Sequence, residues 1–109
     1  MAELFHHRFV DESMNDKNPF STCHVLVKTD EGIKEGTSYD ERGEKAPEQL
    51  AAEAVFLAVL GEVPPSLHIR EGVEGVMVLI PGSHGVCPGR RSQLKNVCKA
   101  ALASLASRF

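Results

Sequence analysis

The sequence predicts an α/β fold in which a mixed sheet, built from an N-terminal strand and a β-hairpin, carries two main helices. Residues 23–29 and 33–39 alternate in polarity on either side of Asp30-Glu31-Gly32, a pattern typical of a hairpin with a short glycine-containing loop. Residues 47–60 and 91–107 instead place apolar residues at helical spacing. Together they predict helices packed on a mixed sheet.

The N-terminal part begins with a predicted strand at residues 4–10, which is followed by a polar loop closed by Asn18-Pro19. After the hairpin, residues 40–46 form a charged loop. Residues 47–60 give the clearest helix, because proline suits the first helical position and Gly61 suits the C-terminal end. Its polar face is narrow, so we expect it to be largely buried.

The C-terminal part has two further strand candidates, residues 67–70 and 76–80. Only residues 71–75 separate them, too few for a parallel crossover, so either the two pair as a hairpin or one is not a strand. A glycine-rich loop then leads into the helix at residues 91–107. We detect no internal repeat.

Length and composition indicate one globular domain, residues 1–109. No apolar run reaches membrane-spanning length and the N-terminus does not resemble a signal peptide, so we expect a cytoplasmic protein without a membrane partner. The three cysteines are an odd number without CxxC spacing, which argues against a disulfide framework and a thiolate zinc site.

The charge is unevenly distributed along the chain. All 15 acidic residues lie between Glu3 and Glu74, whereas residues 75–109 contain five Lys or Arg and no acid. A basic end on an acidic body suits an anionic partner such as nucleic acid or a phosphorylated ligand. A solvated surface helix explains the same pattern, because lysines are favoured near helix C-termini.

The glycine-rich segment gives the anionic partner a candidate site. Residues 76–91 (VMVLIPGSHGVCPGRR) indicate a strand, a tight loop and a helix N-terminus. Unpaired N–H groups and the helix dipole attract phosphates and carboxylates there. The candidate anion-binding residues are Gly85, Gly89, Arg90, Arg91 and Ser92.

Four carboxylates are candidates for a divalent metal site, because clustered acids repel each other unless a cation lies among them. They are Asp11, Glu48, Glu71 and, as an alternative to Glu48, Glu53. Oxygen ligands of this kind select Mg²⁺ or Mn²⁺, which activates water for phosphodiester cleavage. His84 in the glycine loop is a candidate for assisting the leaving group. Each of these residues is also compatible with an ordinary surface position.

Cys87 supports a different catalytic hypothesis. It precedes a predicted helix N-terminus and two arginines, surroundings that lower the pKa of a thiol and favour a reactive thiolate. A thiol-dependent enzyme built on Cys87 therefore remains an alternative.

Several of these segments resemble the ribonuclease H family in its retroviral and retrotransposon style. Residues 9–13 (FVDES) with Asn18-Pro19 resemble its first-strand motif, residues 47–53 its glutamate-bearing helix, and residues 80–89 its histidine loop. The resemblance implies Mg²⁺, an RNA–DNA hybrid substrate, metal ligands at Asp11, Glu71 and either Glu48 or Glu53, and a role for His84. Glu71-Gly72 stands where the family has Asp-Ser, and no acid follows Glu74, which implies a reduced or non-catalytic version.

Two other families share shorter segments with the chain. Residues 19–21, 29–32 and 52–53 resemble a cytidine deaminase, although Ala51 occupies the zinc-ligand position. Residues 47–50 and 84–88 resemble the organic-hydroperoxide-resistance family, with Ala58 in place of its helix cysteine. The leading hypothesis is thus a ribonuclease H-like domain that binds nucleic acid, with or without hydrolysis of RNA–DNA hybrids. The alternatives are a non-enzymatic interaction or oligomerisation module, including a homo-oligomer, and the Cys87 enzyme.

Overall fold

The computed structural model describes residues 2–11 and 21–106, with only the backbone of Asp11, and confirms the α/β class. These residues form a βββαβββα order: β1 Glu3–Asp11, β2 Ser21–Thr29, β3 Gly32–Asp40, α1 Pro47–Leu60, β4 His68–Gly72, β5 Gly75–Ile80, β6 Ser83–Cys87 and α2 Leu94–Ala106. The Asn18-Pro19 turn, Glu12 and Ser13 of the strand motif, and Ser107 lie outside the described residues.

The strands form two antiparallel three-stranded sheets rather than one mixed sheet. Sheet A has the order β1-β2-β3 and sheet B the order β4-β5-β6. Strands β4 and β5 pair as a hairpin, with Gly72 opposite Gly75. The short connection explains this arrangement, because two intervening residues allow a tight antiparallel turn and no parallel crossover.

The glycine-rich segment differs from the predicted loop. Pro81 and Gly82 form a turn, and the chain then returns as strand β6, which pairs with β5. Within β6, Gly85 and Cys87 are buried, whereas His84 is exposed and Val86 is half-buried. This period-two pattern is that of a strand, and helix α2 begins only at Leu94.

Helix α1 is covered over most of its circumference. Its residues from Leu50 to Phe56 are all buried, including Glu53. The helix ends at Gly61, whose φ of 78° is left-handed and whose N–H donates to the carbonyl of Leu57 at 3.1 Å. The helix packs on β2, β3 and α2, while α2 packs on β5, β6 and β1. The two helices therefore lie against the inner faces of the sheets and against each other.

The two βββα units are structurally equivalent, which the sequence did not indicate. Val25 lies opposite Gly36 in sheet A, and Val78 lies opposite Gly85 in sheet B. A Cβ on Gly36 would overlap the carbonyl of Ala54 and the amide of Ala58, whereas a Cβ on Gly85 would overlap those of Ala100 and Ser104. In both units, a glycine of the third strand thus packs against one turn of the helix. The two helix residues that it contacts are four positions apart in each unit.

Helices α1 and α2 run parallel, because their contacts occur in the same order from one end to the other. Near their starts, Gln49 and Arg91 line one cleft. Further along, the thiol of Cys98 donates to the carbonyl of Ala51 at 3.9 Å. At the far end, Val59 and Leu105 line one cavity. Both N-termini therefore lie at one end of the molecule, and both C-termini at the other.

Within the described residues, neither helix is both long and apolar enough to cross a membrane.

Candidate functional site

A cleft of ≈ 220 Å³ lies beside the start of α1, at the end of the molecule where both helices begin. Its lining comes from both βββα units: Ala46, Glu48 and Gln49 from the first, and Leu67, His68, Ile69 and Arg91 from the second. The cleft brings acidic, basic and imidazole side chains together at the boundary between the two units.

Glu48 and Glu71 each lie beside Arg91. The backbone N–H of Arg91 donates to Oε2 of Glu71 at 3.1 Å, and Arg91 also lines the cleft that contains Glu48. Glu48 occupies the first turn of α1, where a carboxylate is favoured by the helix dipole. Two of the predicted site carboxylates are thus brought to one end of the molecule.

The backbone of Asp11 lies at this end as well. Asp11 pairs with Ser21, and Ser21 pairs with Asp40 across sheet A. The carboxylate of Asp40 in turn accepts the N–H groups of Glu44 and Lys45, both at 3.0 Å, in the loop that leads to α1. Strand β1 nevertheless belongs to sheet A and β4 to sheet B, so the two strands are not neighbours in a sheet.

Glu53 does not line the cleft and instead forms contacts that stabilise the fold. Its carboxylate is nearly buried and accepts from Nζ of Lys45 and Nε2 of Gln49, each at 2.9 Å. Of the two glutamates that the sequence offered for the site, Glu48 is therefore the one that lines the cleft.

His84 lies on the outer face of sheet B, away from the helices. It pairs with Leu79, which also pairs with His68 on its other side, so the two histidines are about 10 Å apart across the sheet. The structure does not bring His84 to Glu48 and Glu71. In the described part of the chain, no three His, Cys, Asp or Glu side chains lie close enough to hold a metal ion.

Cys87 points into the protein. Its side chain is buried, and the thiol lies 3.5 Å from the carbonyl oxygen of Pro88 and 3.8 Å from Oδ1 of Asn96. Position 87 corresponds to Ser38 in the first unit, whose hydroxyl donates to the carbonyl of Leu50 at 2.6 Å. The matching positions indicate that both side chains hold a third strand to the start of a helix.

The predicted anion-binding residues fall into two groups. Gly85 is buried against α2, and Gly89 has a φ of 124° and lies against the side-chain amide of Asn96, so both shape the backbone. Arg90, Arg91 and Ser92 are exposed ahead of α2. Sequence reasoning had begun the helix at Arg91, whereas turns with Gln93 donating to Arg90 and Asn96 donating to Gln93 lead into Leu94.

The positive charge continues from Arg90 and Arg91 along one side of α2. Lys95 and Lys99 are exposed and one helical turn apart, whereas the residues between them are buried. In the region the structure describes, no carboxylate lies within ion-pair distance of the side-chain cation of Arg90, Arg91, Lys95 or Lys99, although the carboxylate of Glu71 accepts the backbone N–H of Arg91. We call these four residues the basic strip.

His7 adjoins the basic strip. Burial lowers its pKa below the ordinary value for histidine, and the nearby charges of His6 and Lys95 lower it further. The structure therefore places β1 close enough to α2 for Lys95 to act on an imidazole of sheet A. The proximity of His7 to Lys95 could not be predicted from the sequence, because 88 positions separate the two residues.

In comparisons with known proteins, no protein-family model, no curated protein and no solved structure matches the chain.

Proposed function

We propose that the protein binds nucleic acid through the basic strip. The observation that carries the proposal is that all four cations of the strip lack a carboxylate partner among the described residues. Most cations on a protein surface can be neutralised by nearby acids, but the segment from residue 75 onward contains none. Such unpaired charge favours a polyanion that supplies several phosphates at once.

The arrangement of the two helices also favours an anionic ligand at this end of the molecule. Because α1 and α2 are parallel, their positive dipole ends lie together at the end of the molecule that carries Arg90 and Arg91. Arginine suits phosphate particularly well, since its planar guanidinium can donate two parallel hydrogen bonds. Ser92 adds a hydroxyl donor beside them. Lys95 and Lys99 extend the positive surface by about 6 Å along α2.

The resemblance to ribonuclease H supports an RNA–DNA hybrid as the preferred form of nucleic acid. A hydrolytic version of the proposal uses Mg²⁺ or Mn²⁺ held by Glu48 and Glu71, with Asp11 as the third ligand, since those two glutamates lie at the end where β1 finishes. His84 has no part in this version, because it lies on the outer face of sheet B. Hydrolysis is tested by incubating a labelled hybrid with either metal and comparing the wild type with Asp11→Asn and Glu48→Gln.

Binding is tested by fluorescence anisotropy with a labelled RNA–DNA hybrid between about 50 and about 300 mM salt. The logarithm of the association constant is expected to fall with the logarithm of the salt concentration at a slope of about −3.6, because the four cations of the basic strip neutralise four phosphates and each contributes about −0.9. The double variant Lys95→Glu, Lys99→Glu is expected to weaken binding by at least about tenfold at the lowest salt.

The matched control is Lys28→Glu with Lys34→Glu, which changes the net charge equally but lies on the hairpin of sheet A. Binding by this control should stay within about twofold of the wild type if the strip is the contact surface. Equal weakening by both double variants would show that net charge alone governs binding, and absence of salt-dependent binding would overturn the proposal.

A further inference from the structure

The outer face of sheet A carries a contact between a histidine and a threonine. Buried residues of β2 and β3 face α1 and alternate with residues that are half-buried or exposed, so His24 of β2 and Thr37 of β3 lie on the face away from that helix. The two residues are direct cross-strand partners. Oγ1 of Thr37 lies 2.7 Å from Nδ1 of His24, which is a hydrogen-bond distance.

A carboxylate lies on the other side of the same imidazole ring. Oε2 of Glu35 is 3.7 Å from Nε2 of His24. Glu35 and Thr37 are two residues apart on β3, so the pleat of the strand directs both side chains to the same face. A hydroxyl, an imidazole and a carboxylate therefore lie together on the outer face of sheet A.

The carboxylate of Glu35 decides which nitrogen of the ring carries the proton. In a neutral imidazole, one nitrogen is a donor and the other is an acceptor. The negative charge beside Nε2 favours the proton on that nitrogen, which leaves Nδ1 of His24 to accept from the hydroxyl of Thr37. A hydroxyl that donates to a base, with a third group orienting the base, is the arrangement that activates a nucleophile.

Two neighbours on this face suit a substrate that has a carbonyl oxygen and an apolar part. Arg8 of β1 is exposed and is the cross-strand partner of His24 on the other side of β2. A guanidinium there can donate to an oxygen on which negative charge develops. Leu26 lies two residues along β2 from His24 and is half-buried on the same face, where it can contact an acyl group.

We propose that this site cleaves activated carboxylic esters, with Thr37 as the nucleophile and His24 as the general base. Nδ1 of His24 takes the hydroxyl proton while Oγ1 of Thr37 bonds to the carbonyl carbon, and Arg8 stabilises the carbonyl oxygen. The bond to the leaving oxygen then breaks, and that oxygen takes the proton from His24. Water hydrolyses the acyl-threonine with His24 again as the base, which releases the carboxylic acid and restores the hydroxyl.

The test is hydrolysis of p-nitrophenyl acetate at neutral pH, with mass spectrometry of the protein to locate the acetyl group, which is expected on Thr37. Thr37→Val should lower the rate at least about tenfold, since valine keeps the shape and the strand preference of threonine but lacks the hydroxyl. Thr37→Ser keeps a hydroxyl and should stay within about threefold of the wild type. Equal rates in the wild type and Thr37→Val, or acetylation of lysines alone, would overturn Thr37 as the nucleophile.

The matched controls are Thr22→Val and His84→Ala. Thr22 lies on the same face of β2 but pairs with Tyr39, and His84 is an exposed histidine of sheet B. Both control variants should hydrolyse the ester at the wild-type rate, whereas His24→Ala should lower it at least about tenfold. Equal losses in His24→Ala and His84→Ala would show that any surface imidazole accounts for the rate and would overturn the site.

The tautomer of His24 tests Glu35, which is a positioning residue because it acts through the imidazole. Nitrogen NMR of the wild-type protein should show the ring proton on Nε2, and Glu35→Gln should raise the share of rings protonated on Nδ1. A wild-type ring protonated on Nδ1 would overturn His24 as the base. This inference goes beyond the proposed function and does not depend on it, since neither measurement involves nucleic acid or the basic strip.

Discussion

Gly36 in β3 and Gly85 in β6 occupy equivalent positions, each pressed against one turn of the helix in its own βββα unit. Neither has space for a side chain, because the carbonyl and amide that border it belong to helix backbone. We expect Gly36→Ala and Gly85→Ala each to lower the free energy of unfolding by about 3 kcal/mol or more. Urea denaturation followed by circular dichroism measures this change.

Gly72 gives the matched control for these two substitutions. It also lies in a strand, but a Cβ there would meet nothing within 4 Å. Gly72→Ala should therefore change the free energy of unfolding by less than about 0.5 kcal/mol. A small effect at Gly36 or Gly85 would contradict the close approach of strand and helix.

The ion pair between Lys45 and Glu53 should matter more than the one between Lys34 and Glu31. Only 9% of the Glu53 side chain is exposed, against 79% for Glu31, so loss of Lys45 leaves a nearly buried carboxylate without its cation. We expect Lys45→Met to destabilise the fold by about 2 kcal/mol, and Lys34→Met by less than about 0.5 kcal/mol. Thermal denaturation of both variants at neutral pH checks the difference, and equal effects would be inconsistent with burial of Glu53.

The buried thiols make the fold sensitive to alkaline pH. Burial raises the pKa of Cys23 to about 11 and that of Cys98 to about 12, from an ordinary thiol pKa of 9.0. Because the folded-state pKa is raised, the neutral thiols contribute full stability below about pH 9. This stability is lost as the pH rises through the folded-state pKa values. Above about pH 9 the thiols release their protons in the unfolded chain but still keep them in the folded protein, which favours unfolding.

We expect a loss of about 1 kcal/mol per thiol at about pH 10, relative to about pH 8. The double variant Cys23→Val, Cys98→Ala should lose about 2 kcal/mol less than the wild type over this interval, as measured by urea denaturation at both values. Valine suits position 23, because Val76 occupies the equivalent place in the second unit. An identical pH dependence in both proteins would contradict the raised pKa values of Cys23 and Cys98.

Glu71 should oppose nucleic-acid binding, since its carboxylate accepts a hydrogen bond from the backbone of Arg91 inside the positive region. Glu71→Gln retains an oxygen acceptor for this N–H and removes the negative charge. We expect affinity for an RNA–DNA hybrid to rise about threefold at low salt, and this gain to shrink as salt is added. Glu62→Gln, in the connection that follows α1, is the control and should leave anisotropy titrations unchanged. A gain in affinity that does not depend on salt would contradict an electrostatic effect of Glu71.

The local elements were predictable because their signals are local. Pro47 and Gly61 mark the two ends of α1, and the structure has the helix at Pro47–Leu60 as predicted. Strand β6 was missed, because Pro81, Gly82 and Gly85 within a few residues are equally typical of a loop. The division into two sheets was not predictable either, since it depends on which strands meet across the whole chain.

The candidate site shows the same limit. The sequence proposed Glu48 and Glu71 as parts of one site, and the structure places each of them beside Arg91. It also assigned His84 to the site, whereas the strand pairing of β6 directs this side chain to the opposite face. The internal repeat remained hidden because many equivalent positions differ in chemistry, as with Ser38 and Cys87, and the shared residues are too few to stand out in the sequence.

The two equivalent units are joined by the single connection between α1 and β4, residues 61–67. This tether converts what would be association of two separate pieces into an intramolecular step, at an effective concentration of about millimolar or more. A nick there would make the melting temperature depend on dilution. Because the two units are covalently linked, the stability of the fold does not depend on the protein concentration.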